Sequence, residues 1–388
     1  MKHRNAHEVI VVGGGAAGLM QAGLLSDHGF DVALVAPNDV EVNAQGPWRA
    51  RTVALTPSSV ALLDQLGFDW EHWRHCRYRT VGIEDADAPV RLRFSAAELG
   101  HDFLGVLIEL QLLNAGLAKC VYARGLPVYR YPAFHLHADR RLELGDGTVL
   151  EGQLLIATDG AQSWLRQQTD IHQSILDYGQ SALVAVVETN RPHQARAWQK
   201  FSDGYPLAFL PLGNAESCAY AVVWSLPTPR AQALLQSSPA AFLLVLQRHM
   251  ADELGQAVAV YDQELYPLVA RHALRYYDGN VVLVGDSAHT IHPLAGQGLN
   301  LGLTDIRVLV EELMRARRRG LSLQHSSVLG RYQRRRRGDN ALMQGSMTIL
   351  QRLMAEHQPL WSIVRGQGWA WIERQPWLKG WMAEWAVR

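Results

Sequence analysis

The chain has no excess of either charge. Over 388 residues, 37 Lys and Arg balance 37 Asp and Glu, so no long-range field draws it to a polyanion, and no nucleic-acid partner is expected. Cysteine is scarce: Cys76, Cys120 and Cys218 lie far apart and are odd in number, which argues against a disulfide framework and for a reducing compartment, the cytoplasm. Nowhere is there a run of the roughly 18 to 20 apolar residues that a membrane span needs. "MKHR" could open an export signal, but the apolar segment behind it breaks at Gly13 to Gly15, too soon for a signal core. A soluble or peripheral protein is expected. No internal repeat or low-complexity linker is visible, and His72, His75 and Cys76 in "DWEHWRHC" lack a fourth ligand, so no metal is assigned.

What is present starts with "EVIVVGGGAAGLMQAGLLSDHGFDVALVAP". Apolar Val9 to Val12, a tight glycine turn, helical spacing through Leu19, Leu24 and Leu25, and a second apolar run from Val32 to Val35 make a βαβ unit. A helix is predicted from about Pro57, capped by Thr56 or Ser58. Between about Gly179 and Leu268 the texture becomes alternating and β-rich, interrupted by a helix over about residues 231–254. "GNVVLVGDSAH" then resumes the buried-strand-plus-turn style of the N-terminus, so the chain crosses more than once between two units. The length also suits one large or two interleaved domains.

Three elements carry chemistry. Gly13, Gly15 and Gly18 stand in G-x-G-x-x-G spacing between a strand and a helix, where the first permits the turn, the second lets the backbone approach a pyrophosphate and the third lets helix and strand pack. The helix N-terminus then meets the negative charge. Asp159 and Gly160 follow the buried strand Leu154 to Ala157, and Gly285 and Asp286 end the strand Val281 to Val284. A carboxylate at a strand end accepts hydrogen bonds from sugar-like hydroxyls, or else simply caps the following turn. The acid expected at the end of the second strand is absent; Ala36 stands there, with Asp39 and Glu41 just beyond.

In this order the three elements resemble the FAD-binding constellation of the single-component flavoprotein aromatic hydroxylases. Within that group, "HPLAGQGLNLGLTD", His292 to Asp305, resembles the signature of the ubiquinone-biosynthesis hydroxylase family, and "RTVAL" at Arg51, "FLPL", the "YPL" at Tyr266 and "YQRRRRGDN" resemble stretches at the same relative places. Leu110-Gln111 departs from the family's more usual Asn-Arg. The resemblance implies an α/β fold: a Rossmann-like FAD-binding domain (1–75, 101–175 and 276–320) interleaved with a smaller β-sheet substrate domain (76–100 and 176–275), plus a C-terminal helical region (321–388).

It also implies the chemistry. FAD, reduced by NADPH or NADH, reacts with oxygen to give a C4a-hydroperoxide that hydroxylates an electron-rich ring, here that of a lipophilic polyprenylated phenol; other aromatic substrates, or a non-catalytic scaffold in a quinone-synthesis complex, are the alternatives. The cofactor carries the hard chemistry and the protein supplies orientation and electrostatics. Beside the glycines, the expected cofactor contacts are Ala17, Arg51, Gln111, Asp159, Gly160, Asp286, Pro293, Gly296, Gly298, Leu299 and Asn300. Glycines at 296 and 298 would bare backbone N–H groups to the anionic reduced flavin. With no second G-x-G-x-x-G, the nicotinamide donor would bind transiently. His292 and His289 flank the signature and would either move a proton or hold the loop.

Two further features stay open. Arg334 to Arg337 would form a solvated helix face or meet anionic lipid. Trp377, Trp381 and Trp385 repeat at i, i+4 and would be a buried stripe or a peripheral anchor on the inner membrane. A homo-oligomer is also compatible with the sequence.

Overall fold

A computed structural model describes residues 5–36, 42–86, 88–290 and 297–355. At its centre is a parallel ladder. Strand Ala6–Val12 lies between Val32–Val35 and Val149–Ala157, Val149–Ala157 is followed by Val281–Leu283, and Val32–Val35 by Val128–Tyr129. Val9, Ile10, Val11, Leu154, Leu155 and Ile156 are all fully buried, as expected of parallel strands covered on both faces. Helix Ala16–Asp27 packs against helices Leu110–Tyr122 and Gln297–Arg318. Helix Pro57–Gln65 starts as its sequence predicts, with the Thr56 hydroxyl accepting the Ser59 amide and Pro57 in the first turn.

The second large sheet is mostly antiparallel and gathers Thr80–Asp85, Ala88–Ser95, Gln173–Thr189, Arg196–Ser202, Tyr205–Pro211, Ala219–Pro227, Ala257–Ala273 and the short strand His289–Thr290. Its central strand is buried on both sides by alternation. Leu183, Ala185 and Val187 pack under helices Thr228–Leu235 and Pro239–His249, while Ala182, Val184 and Val186 face the opposite way, into a cluster that includes Ala50 and Trp48 from the first unit. We propose the two sheets as the cores of two structural units, exchanging near residues 79, 96, 172 and 274.

The helix expected over 231–254 is two helices. Ser238 caps the second by accepting the Ala241 amide, and Pro239 sits at its first position, so the first helix ends before them. At the C-terminal end, helix Ser326–Ala355 packs on Gln297–Arg318. Trp377, Trp381 and Trp385 lie outside the described residues. No helix among the described residues is long and apolar enough to cross a membrane.

Candidate active site

Three parallel strands end at one level. Val12 is in register with Ala157, and Ala157 with Leu283, so the turns that follow them meet at the carboxyl edge of the sheet, where open α/β sheets bind ligands. Gly13 turns there with φ +129, and a Cβ on it would lie 2.5 Å from the Thr158 carbonyl oxygen. Only glycine fits both demands. A Cβ on Gly18 would meet the Gly13 carbonyl at 1.8 Å, so the helix is seated directly on the turn. Gly15 differs: nothing lies within 4 Å of where its Cβ would be, and no side chain caps the helix it begins. An anion can therefore approach the first-turn amides unhindered.

The strand-end acids flank that opening. The Asp159 Oδ2 accepts the Leu165 amide at 3.0 Å, whereas Oδ1 is buried with no hydrogen-bond partner. Burial raises its carboxyl above the ordinary range, against hydrogen bonds from Ser163 and Leu165. Space is open beside Gly160, which follows it. Asp286 is exposed yet recessed: the protein crowded around it raises its carboxyl, while His289 and Arg51 pull it down. Arg51 is exposed, with its guanidinium 5.4 Å from the centre of the Tyr266 ring. Gln111 is half-buried in the first turn of its helix. Ala36 is fully buried, and a Cβ on Gly14 would come within 2.7 Å of its methyl, so the turn and the end of the second strand pack directly on each other. Asp39 and Glu41 lie outside the described residues.

The third turn is locked to the long helix by two glycines. A Cβ on Gly302 would stand 3.2 Å from the Gly285 Cα, and one on Gly285 would reach Ala17, 3.9 Å away. That contact draws the first motif, the Gly285-Asp286 turn and the signature helix into one place. Gly298 and Leu299 begin that helix, with open space at Gly298. His292, Pro293 and Gly296 lie outside the described residues.

Beneath the turn sits a buried charge cluster that the sequence did not suggest. Asp305 is fully buried; its Oδ2 accepts the Gly285 amide at 3.1 Å and His289 Nε2 at 2.6 Å, and its Oδ1 accepts Arg336 Nε at 2.6 Å and Asn340 Nδ2 at 3.1 Å. Burial alone would raise this carboxyl, but His289 and Arg336 outweigh it and hold it at about 2. Its signal was in plain view as the single charged residue of "HPLAGQGLNLGLTD".

Two of the candidate site residues are tied into the fold. His289 is 1% exposed, bonded to Asp305 and stacked on Tyr276, the contacts that the loop-holding alternative requires. The Asn300 side chain accepts from the Thr56 amide and the Ser59 hydroxyl and donates to the Ala54 carbonyl, so it ties the start of the signature helix to strand Thr52–Leu55 and helix Pro57–Gln65. The arginine run is also not uniformly solvated: Arg334, Arg335 and Arg337 are exposed, but Arg336 is buried on Asp305. In "DWEHWRHC", His72 meets Trp73 edge-to-face, His75 bonds the Trp73 carbonyl and Cys76 is buried in a strand; among the described residues no group of three or more potential ligands could hold a metal.

A dinucleotide fits this edge. There is an uncapped helix N-terminus for its phosphates, and a buried, unpartnered carboxylate oxygen for a hydroxyl. The family model described as "FAD binding domain" matches residues 6–340. The 3-demethoxyubiquinol 3-hydroxylase of Escherichia coli (strain K12) is 34% identical over 383 residues, covering 96% of each chain. The chain belongs to the ubiquinone-biosynthesis hydroxylase family of FAD-dependent monooxygenases. Ubiquinone hydroxylase UbiL of Rhodospirillum rubrum is 31% identical to this flavoprotein, over 96% of this chain and 87% of that one. The fold of the flavoprotein is also that of p-nitrophenol 4-monooxygenase PnpA from Pseudomonas putida DLL-E4, with TM-score 0.77, 20% identity and 99% of each chain covered.

Proposed function

We propose that this flavoprotein uses NADPH or NADH and oxygen to hydroxylate the aromatic ring of a polyprenylated phenol in ubiquinone biosynthesis. The observation that carries the reading is the convergence of Gly13, Asp159 and Gly285 with the signature helix at one sheet edge. The relatives named as ubiquinone hydroxylases support the substrate class.

Bound FAD supplies the redox chemistry and oxygen activation. The chain's part is to bind, orient and keep dry. Gly13, Gly15, Ala17 and Gly18 present the helix N-terminus to the pyrophosphate. Asp159 and Asp286 accept hydroxyls, Arg51 and Gln111 line the approach, and the backbone of Gly298 to Asn300 stabilises negative charge on the ring. The apolar face of the second sheet, with Ala182, Val184, Leu210 and Leu268, excludes water above it. His292 is the remaining candidate for a proton transfer.

A lipophilic ring must be collected from a bilayer, so Trp377, Trp381 and Trp385 are assigned a peripheral membrane contact. The deciding experiment incubates purified yellow protein with NADPH, oxygen, and prenylated or unprenylated phenols. Substrate-stimulated NADPH oxidation with gain of one oxygen atom in the prenylated ring is expected. Turnover of the unprenylated phenol alone would move the substrate class elsewhere, and a protein that takes up no FAD would leave only a scaffold.

A further inference from the structure

The loop ahead of strand Thr52–Leu55 is held from two sides. From the first unit, Arg74 donates to the Pro47 carbonyl at 3.0 Å, Glu109 accepts the Arg49 amide at 2.7 Å, and the Leu110 amide donates to the Arg51 carbonyl at 2.9 Å. Across the cleft, one carboxylate of the second sheet answers them. Asp262 Oδ2 accepts the Ala50 amide at 2.7 Å, and Oδ1 accepts from the Arg49 guanidinium at 2.8 Å. The two contacts are unequal. The Ala50 amide belongs to a residue 1% exposed, whereas the Arg49 side chain is 52% exposed and its ion pair is screened by water.

The backbone of Asp262 is unusual. Val184 pairs with Glu264 and Val186 with Tyr261, so Asp262 and Gln263 together oppose Ala185 and make a β-bulge. Asp262 has φ +52 there. A left-handed bulge residue is ordinarily glycine, which meets no Cβ penalty. Glycine at 262 would keep the bulge and relieve the strain. What it would lose is the carboxylate that reaches Ala50.

We propose that Asp262 is a positioning residue whose strained bulge latches loop 46–51 to the second sheet and so fixes Arg51 at the cofactor site. Arg51 follows Ala50 directly, and the Tyr266 ring beneath its guanidinium belongs to the same strand as Asp262. The inference rests on the reading of Arg51 as a cofactor contact.

The test compares holoenzyme of the wild type with Asp262→Gly and Asp262→Asn. Hydrogen exchange of peptides covering 46–51 reports the latch, FAD release on dilution reports the cofactor, and thermal melting reports the fold. Asp262→Gly should melt within about 2 °C of wild type, while exchange and the FAD dissociation constant each rise about tenfold, the size of one lost hydrogen bond to a charged acceptor. Asp262→Asn keeps an acceptor for the Ala50 amide and tolerates the left-handed backbone, so it should recover most of both. Wild-type exchange in Asp262→Gly overturns the proposal, as does equal loss in both variants. Faster exchange with unchanged FAD release keeps Asp262 as the latch of the loop and rejects Arg51 as a cofactor contact.

Discussion

Replacing Asp305 by Asn removes one charge from a fully buried site. The substitution keeps the shape of the side chain and two hydrogen-bonding atoms, but leaves the Arg336 guanidinium, 5% exposed, with only the solvent-exposed Asp339 as counter-charge. Breaking a buried pair on one side costs about 3 to 5 kcal/mol. With an unfolding entropy of about 2.1 cal/mol/K per residue, that lowers the melting temperature by about 4 to 6 °C. Removing both charges, as in Asp305→Asn with Arg336→Met, should recover most of the loss, because the stranded charge is what is costly.

The pH dependence gives an independent check. Asp305 is held at about 2, below the ordinary 3.8, so its folded form binds a proton less readily than the unfolded chain. A depressed carboxyl stabilises the fold fully above about pH 4 and loses that contribution as pH falls toward 2. At 1.36 kcal/mol per unit, the contribution is about 2 kcal/mol. The gap in stability between wild type and Asp305→Asn, measured by denaturant melts from pH 7 down to 3, should therefore narrow at the acid end. An unchanged melting temperature at pH 7, or a gap that is flat with pH, would refute the assignment of Asp305 as the charged centre of the cluster.

Three other outcomes follow from the same geometry. Gly13→Ala places a methyl 2.5 Å from the Thr158 carbonyl at φ +129, so the variant should lose FAD entirely, and flavin absorbance of the purified protein would reveal any that remains. Gly302→Ala pushes a methyl to 3.2 Å from the Gly285 Cα; the turn must shift, and FAD affinity measured by fluorescence titration should fall about tenfold with only a modest change in melting. Asp286→Ala removes an exposed, recessed carboxylate that accepts no hydrogen bond among the described residues, so it should weaken FAD by about 1.5 to 3 kcal/mol while stability holds. Retained affinity in that variant would take Asp286 out of the site.

Local rules carried the sequence a long way where the relevant atoms are near neighbours. The run Val32 to Val35 is the strand Val32–Val35, Thr56 caps helix Pro57–Gln65, and the glycine spacing opens a helix at Ala16. The break at Ser238-Pro239 was equally legible as a cap followed by a first-turn proline, but the apolar spacing on both sides masked it. Contacts between distant residues were not legible. The Ala50 amide and the Asp262 carboxylate are 212 positions apart, and nothing local announces a left-handed aspartate in the middle of a 17-residue strand. The close seat of Gly14 on the Ala36 methyl is another such contact, between a turn and a strand end 22 positions apart.

The arginine run explains why a charge pattern can be misread. Tyr332, Arg336 and Asn340 are spaced at i, i+4, i+8 and are all buried, so they form one inward face of helix Ser326–Ala355. A search for an apolar stripe passes over that face, because two of its three residues are polar. Arg336 is held there by the Asp305 carboxylate on the facing helix, with Asp339 at the exposed edge, and Asn340 bonds both Asp305 and Arg336. An apolar seam would tolerate a slide of one helix along the other; this seam would then bury an unpaired charge. The register of the C-terminal helix is thus set by the residue that also holds Gly285 and His289, and the strand-end turn beside the flavin site inherits that register.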